Sequence, residues 1–211
     1  LFEPVLKLAA EAVDHWTPQS LAGQKALVKI SGLVGKTGQA VAEAQLARGL
    51  GYHAGLLSLA AFKGASEDEL IKHCQSVAAE IPLIGFYLQP AVGGILLSPD
   101  FWRRFAEIDN VVAIKMAPFN RYRTLDVIRG VVAAHAEDRV TLYTGNDDHI
   151  VLDLLSPFLV KRDGEDVRVR IKGGLLGHWS VWVKSAVELL ARVHEAVETD
   201  KVDFDLLALD S

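Results

Sequence analysis

The sequence is poor in residues that staple or anchor a chain. One cysteine, Cys74, stands among 211 residues, so neither an intramolecular disulfide nor a cysteine-based zinc cluster is available. A reducing cytosol is the expected compartment. No apolar run reaches the ~18 residues of a membrane span, and no signal peptide is expected. An excess of positive charge is also missing. Lys and Arg number 22 against 27 Asp and Glu, a formal net charge of −5. That balance gives no electrostatic reason to expect nucleic acid or an anionic membrane as partner. The only methionine, Met116, is internal and the chain opens at Leu1, so the natural start is expected upstream. What is plentiful is apolar: 50% of residues are hydrophobic and 23% charged. This composition excludes a disordered chain and supports a sizeable core in one domain spanning 1–211.

Short apolar runs recur along the chain. They begin at Ala26, Ala54, Pro82, Val111, Val140 and Val167, so the spacings are 28, 28, 29, 29 and 27 residues. Each is short and rich in Val, Ile or Leu, as expected of strands covered on both faces. The last, VRVRIKGG, alternates arginine with Val and Ile. Helical patterns fill the gaps. Phe2, Val5, Leu6, Ala9, Val13 and Trp16 form one stripe. Ser66 and Glu69 make a capping box, and Ser98-Pro99-Asp100 reads as an N-cap with a first-turn proline. Helices are also expected over 121–136 and 180–197, the latter opening a helical end at about 180–211. Strand–helix alternation at this spacing signals βαβ units and a parallel sheet. A doubly wound sheet and a (β/α)8 barrel that lacks two strands both fit.

In either architecture the chemistry lies at the carboxyl ends of the strands. The fourth run, VVAIKMAP, ends its apolar stretch at Lys115. Desolvation lowers a lysine's pKa, and a neutral amine can attack a ketone to form a Schiff base. The alternative is a lysine that snorkels or pairs with a carboxylate. Lys29 and Lys63 are the competing amines. Alternation puts Leu83, Gly85 and Tyr87 on one face of the third run. A phenol beside a Schiff-base lysine can relay protons; the plainer role for Tyr87 is packing. Asp147, Asp148 and His149 follow the fifth run, as metal ligands or as a polar cap cluster. Gly173 and Gly174 suit an anion cradle or simply a tight turn, and His178 suits a structural role.

Taken together, PLIGFYLQP, the helix SPDFWRRFAEI, NVVAIKMA and LYTGNDD resemble the dihydrodipicolinate synthase/N-acetylneuraminate lyase family. The resemblance runs from about Ala26 to Gly177. It implies a (β/α)8 barrel of which strands three to eight are present, and a class I, Schiff-base aldolase or lyase acting on pyruvate or a related 2-oxo acid. It places Lys115 on the family's Schiff-base lysine and Tyr87 near its proton-shuttling tyrosine, with Phe86 the residue that aligns without a gap. Gly145, Asn146, Asp147 and Asp148 stand on the family's Gly-Asp-Asp, and Gly173 and Gly174 near the glycine of its eighth strand. Ser58 begins the segment that replaces the family's Thr-Pro-Tyr-Tyr, so a second relay tyrosine is absent. The turn at 91–94 lacks the synthases' carboxylate-binding arginine. A divergent subgroup with its own substrate is therefore expected. The reading needs no cofactor or metal, and implies a small 2-oxo acid as partner and a homo-oligomer. A metal-dependent or phosphate-binding barrel enzyme, and a non-catalytic barrel with a binding or assembly role, stand as alternatives.

Overall fold

Five of the six apolar runs become neighbouring strands, and the sixth reaches the sheet only through its last residues. The computed structural model describes residues 1–20, 27–202 and 204–208. The chain opens with α1 (Phe2–Ser20). There follow β1 (Ile30–Leu33), α2 (Thr37–Gly49), β2 (Ala54–Leu57), α3 (Glu67–Ala78), β3 (Leu83–Tyr87), α4 (Pro99–Ala106), β4 (Val111–Met116), α5 (Arg121–Ala133) and β5 (Thr141–Thr144). After α6 (Ile150–Leu155) come β6 (Phe158–Arg162), β7 (Glu165–Val169) and β8 (Gly173–Gly174), then α7 (His178–Val181), α8 (Val183–Thr199) and α9 (Phe204–Ala208). The first run begins at Ala26, which lies outside the described residues; its strand starts at Ile30.

Among the described residues the main sheet runs β1-β2-β3-β4-β5-β8. The β1–β2, β2–β3, β4–β5 and β5–β8 pairs are parallel. Sequential parallel strands with a helix in each crossover from β1 to β5 are the arrangement of a (β/α)8 barrel, not of a doubly wound sheet, whose strand order reverses. The VRVR stretch departs from expectation. It forms β7, which pairs antiparallel with β6 in a separate hairpin. The turn is Asp163-Gly164, with φ of 53° and 88°, the two positive values that a two-residue type I′ hairpin turn requires. Arg168 belongs to this hairpin, Arg170 follows it and donates to the Leu155 carbonyl at 2.9 Å, and only Gly173-Gly174 joins the parallel sheet.

The chain divides into two compact units, 1–85 with 108–112 and 86–107 with 113–211. In the first, α2 buries Ala40, Ala44 and Ala47, and α3 buries Leu70, Ile71, Cys74 and Val77. The capping box at Ser66 forms as expected: the Ser66 hydroxyl accepts from Glu69 N–H, and the Glu69 carboxylate accepts from Ser66 N–H at 2.9 Å. In α1 the buried line is Leu6 and Ala10, while Val5 and Trp16 are exposed, so the expected stripe holds only in part. In the second unit, Phe101, Trp102 and Phe105 of α4 form a buried aromatic cluster. The Ser98 hydroxyl caps α4 by accepting from Phe101 N–H at 3.0 Å.

Candidate active site

Lys115 is the fifth residue of β4, between fully buried Ile114 and Met116. Its own side chain is only half-buried. The ammonium nitrogen lies 4.5 Å from the centroid of the Phe86 ring. Burial pushes the Lys115 pKa below its ordinary value, and the nearby Asp147 carboxylate opposes the shift without cancelling it. The stem of the lysine passes Gly145. A β-carbon at position 145 would lie 3.0 Å from Lys115 Cε and 2.8 Å from Ala117 Cβ. Glycine is thus required for the turn after β5 to sit against the lysine, where Gly145 N–H donates to the Met116 carbonyl. An amine that is partly desolvated, held beside a glycine turn and reachable from solvent suits attack on a carbonyl carbon.

A profile of the dihydrodipicolinate synthetase family matches residues 18–157. The chain belongs to this family. Among curated relatives, the 4-hydroxy-tetrahydrodipicolinate synthase of Synechocystis is 31% identical over 123 residues, 57% of this chain and 38% of that protein. The synthase of Nostoc is 32% identical over 65% of this chain and 45% of its own length. The matched region thus spans less than half of either relative. A dihydrodipicolinate synthetase-like structure from Pseudomonas aeruginosa superposes with a TM-score of 0.73 at 18% identity, covering 99% of this chain and 61% of that one. YagE from E. coli K12, solved in complex with pyruvate, superposes at 0.70 and 20% identity, covering 94% and 59%. The fold is that of a partial (β/α)8 barrel.

Within this family frame, the expected residues separate by face. Tyr87 does not share the Lys115 side. It is 1% exposed, with its ring 5.1 Å from that of Trp102 in α4. Its hydroxyl accepts from Leu97 N–H at 3.3 Å and lies 3.5 Å from the Leu97 carbonyl. Phe86, one residue earlier, points the other way and covers Lys115. The reason is the alternation of the strand combined with the apolar demand of α4: the larger buried site takes the tyrosine, and backbone groups satisfy its hydroxyl.

Asn146 is likewise fully engaged. Its side-chain oxygen accepts from Phe119 N–H at 2.9 Å, and its amide donates to Asp153 at 3.1 Å and to Thr124 at 3.3 Å. This buried side chain ties the turns after β4 and β5 together. Asp147 is exposed and Gly145 lies beside the lysine. Gly174 gives its carbonyl to the Trp179 indole at 2.9 Å. Gly173 makes room for the Tyr143 ring: a β-carbon there would lie 3.2 Å from Tyr143 Cε1. The N–H groups on either side of the glycine pair, Lys172 and Leu175, serve the sheet. Ser58 belongs to the first unit, just after β2, where its N–H donates to the Leu33 carbonyl at 3.0 Å.

Of the competing amines, Lys29 is engaged by Asp14 at 2.9 Å and Lys63 is exposed. Among the described residues no three His, Cys, Asp or Glu side chains converge as metal ligands, so Asp147, Asp148 and His149 do not form such a cluster. Sequence reasoning missed Asp153, which is wholly buried in α6. It accepts from Thr144 at 2.6 Å, from Asn146 and from Arg121. An acid inside the apolar pattern IVLDLL was the available signal, since a buried carboxylate needs donors.

Proposed function

We propose that the protein is a class I aldolase or lyase in which the neutral amine of Lys115 forms a Schiff base with pyruvate or a similar 2-oxo acid. The observation that carries this reading is the half-buried Lys115 beside Gly145, with a pKa held below its ordinary value by desolvation. Family membership and the pyruvate complex of YagE support it. The amine adds to the ketone carbon, the resulting carbinolamine loses water, and the protonated imine then draws electrons from an adjacent carbon–carbon or carbon–hydrogen bond. Gly145 and the Asp147 side chain line the approach to the amine in this reading. Incubation of the full-length protein with pyruvate, followed by borohydride, is expected to attach one three-carbon unit to the Lys115 peptide. Lys115→Arg keeps the charge but cannot form the imine; it is expected to fold, gain no adduct and lose turnover by at least ~10³-fold. Labelling of Lys29 or Lys63 instead of Lys115 refutes the assignment.

A further inference from the structure

With Tyr87 sealed beneath α4, the Lys115 side needs another group to move protons. β5 supplies one. Lys115 and Tyr143 are register partners in the parallel β4–β5 pair, so their side chains stand next to each other on the same face. The neighbours of Tyr143 confirm which face this is. Leu142 and Thr144 are buried, and the Thr144 hydroxyl reaches Asp153 of α6, whereas Tyr143 is half-exposed. On the far side of Tyr143 stands its register partner Gly173, where the ring leaves no unstrained room for a β-carbon. One row thus crosses the sheet: Phe86, Lys115, Tyr143 and Gly173. Phe86 offers Lys115 a ring without an exchangeable proton; Tyr143 offers a phenol.

We propose that Tyr143 is the acid–base residue of this site. The proposal rests on the Schiff-base reading above. The phenol gives its proton to the departing hydroxyl of the carbinolamine, which leaves as water. That yields the protonated imine and a phenolate. The phenolate then takes a proton from the carbon next to the imine, giving the neutral enamine and restoring the phenol. Charge and atoms balance without a further reactant.

The enamine step can be read without knowing the second substrate. Full-length protein in D2O with pyruvate is expected to exchange the methyl protons for deuterium, followed by proton NMR, and to give the borohydride adduct at Lys115. Tyr143→Phe keeps the ring against Gly173. It is expected to form the adduct more slowly, though to completion on long incubation, and to exchange ~10²-fold more slowly, the usual scale of a lost acid–base group. Tyr87→Phe is expected to exchange at the wild-type rate. Adduct formation with unimpaired exchange in Tyr143→Phe overturns the role of Tyr143 alone, as does a loss confined to Tyr87→Phe. A wild-type protein without any Lys115 adduct overturns the Schiff-base reading and this proposal together.

Discussion

The two faces of β3, β4 and β5 differ more than their sequences suggest. The helix-covered face holds Tyr87, Ile114, Met116, Leu142 and Thr144, all nearly inaccessible. The opposite face holds Phe86, Lys115 and Tyr143, all half-exposed. Polar groups occur on both. On the covered face each described polar side chain is spent: the Tyr87 hydroxyl meets the Leu97 backbone, and the Thr144 hydroxyl bonds Asp153. On the open face the amine of Lys115 faces a ring, and its counter-charge, Asp147, is exposed. Satisfied burial gives structure, and partial desolvation with access to solvent gives reactivity.

The contrast breaks first at Asp153. Asp153→Ala is expected to cost about 3 kcal/mol, because it orphans buried donors on Thr144 and Asn146 and removes a partner of Arg121. Part of the Arg121 charge is relieved by water, since its side chain is 40% exposed. Urea unfolding reads the loss; a change below ~0.5 kcal/mol would mean that the network is not structural.

A sealed base in the first unit sharpens the comparison. His73 is 2% exposed, with Nδ1 3.0 Å from the Thr37 hydroxyl and its ring 4.4 Å from Phe62. Nε2 is buried without a hydrogen-bond partner. Burial, helped by the Lys36 charge, pushes its pKa down from 6.5 to about 4. The folded state therefore keeps His73 neutral where the unfolded chain takes a proton. Stability is full above pH 6.5 and falls by about 3 kcal/mol as pH drops towards 4. Denaturant midpoints across that range should show the slope in wild type and lose it in His73→Phe; an equal slope in both rejects the assignment.

The smallest effect belongs to the open face. Asp147 supports the charged form of Lys115. Asp147→Asn is expected to move the half-point of adduct formation to lower pH, while stability changes by less than ~0.5 kcal/mol. A shift to higher pH would contradict the electrostatic role.

Much of this is legible in the sequence, for identifiable reasons. A period near 28 residues reports one strand plus one helix, and local capping at Ser66 and Ser98 depends on near neighbours only. Lys115 stood out because a charge closes an apolar run. Alternation, however, gives parity without saying which parity the helices cover. Parity alone leaves Tyr87 as a neighbour for Lys115, whereas the structure puts Phe86 and Tyr143 on that face. The period alone assigns VRVR to the main sheet, whereas Asp163-Gly164, a strong two-residue turn signal, marks the hairpin. Asn146 bonds Thr124 and Asp153, 22 and 7 residues away, and no local pattern carries that pairing.

The β6–β7 hairpin has a consequence for how copies of the chain meet. A two-stranded ribbon presents two unpaired edges, each a template on which another chain can lay a strand. Here the ribbon exposes Lys161, Glu165, Asp166 and Arg168, with Lys161 and Asp166 joined across it at 2.9 Å, while Arg162 turns to Glu137 and the Val132 carbonyl. A strand arriving at either margin would have to strip water from these ions or set like charges side by side. The ribbon therefore resists fibrillar stacking by its own composition.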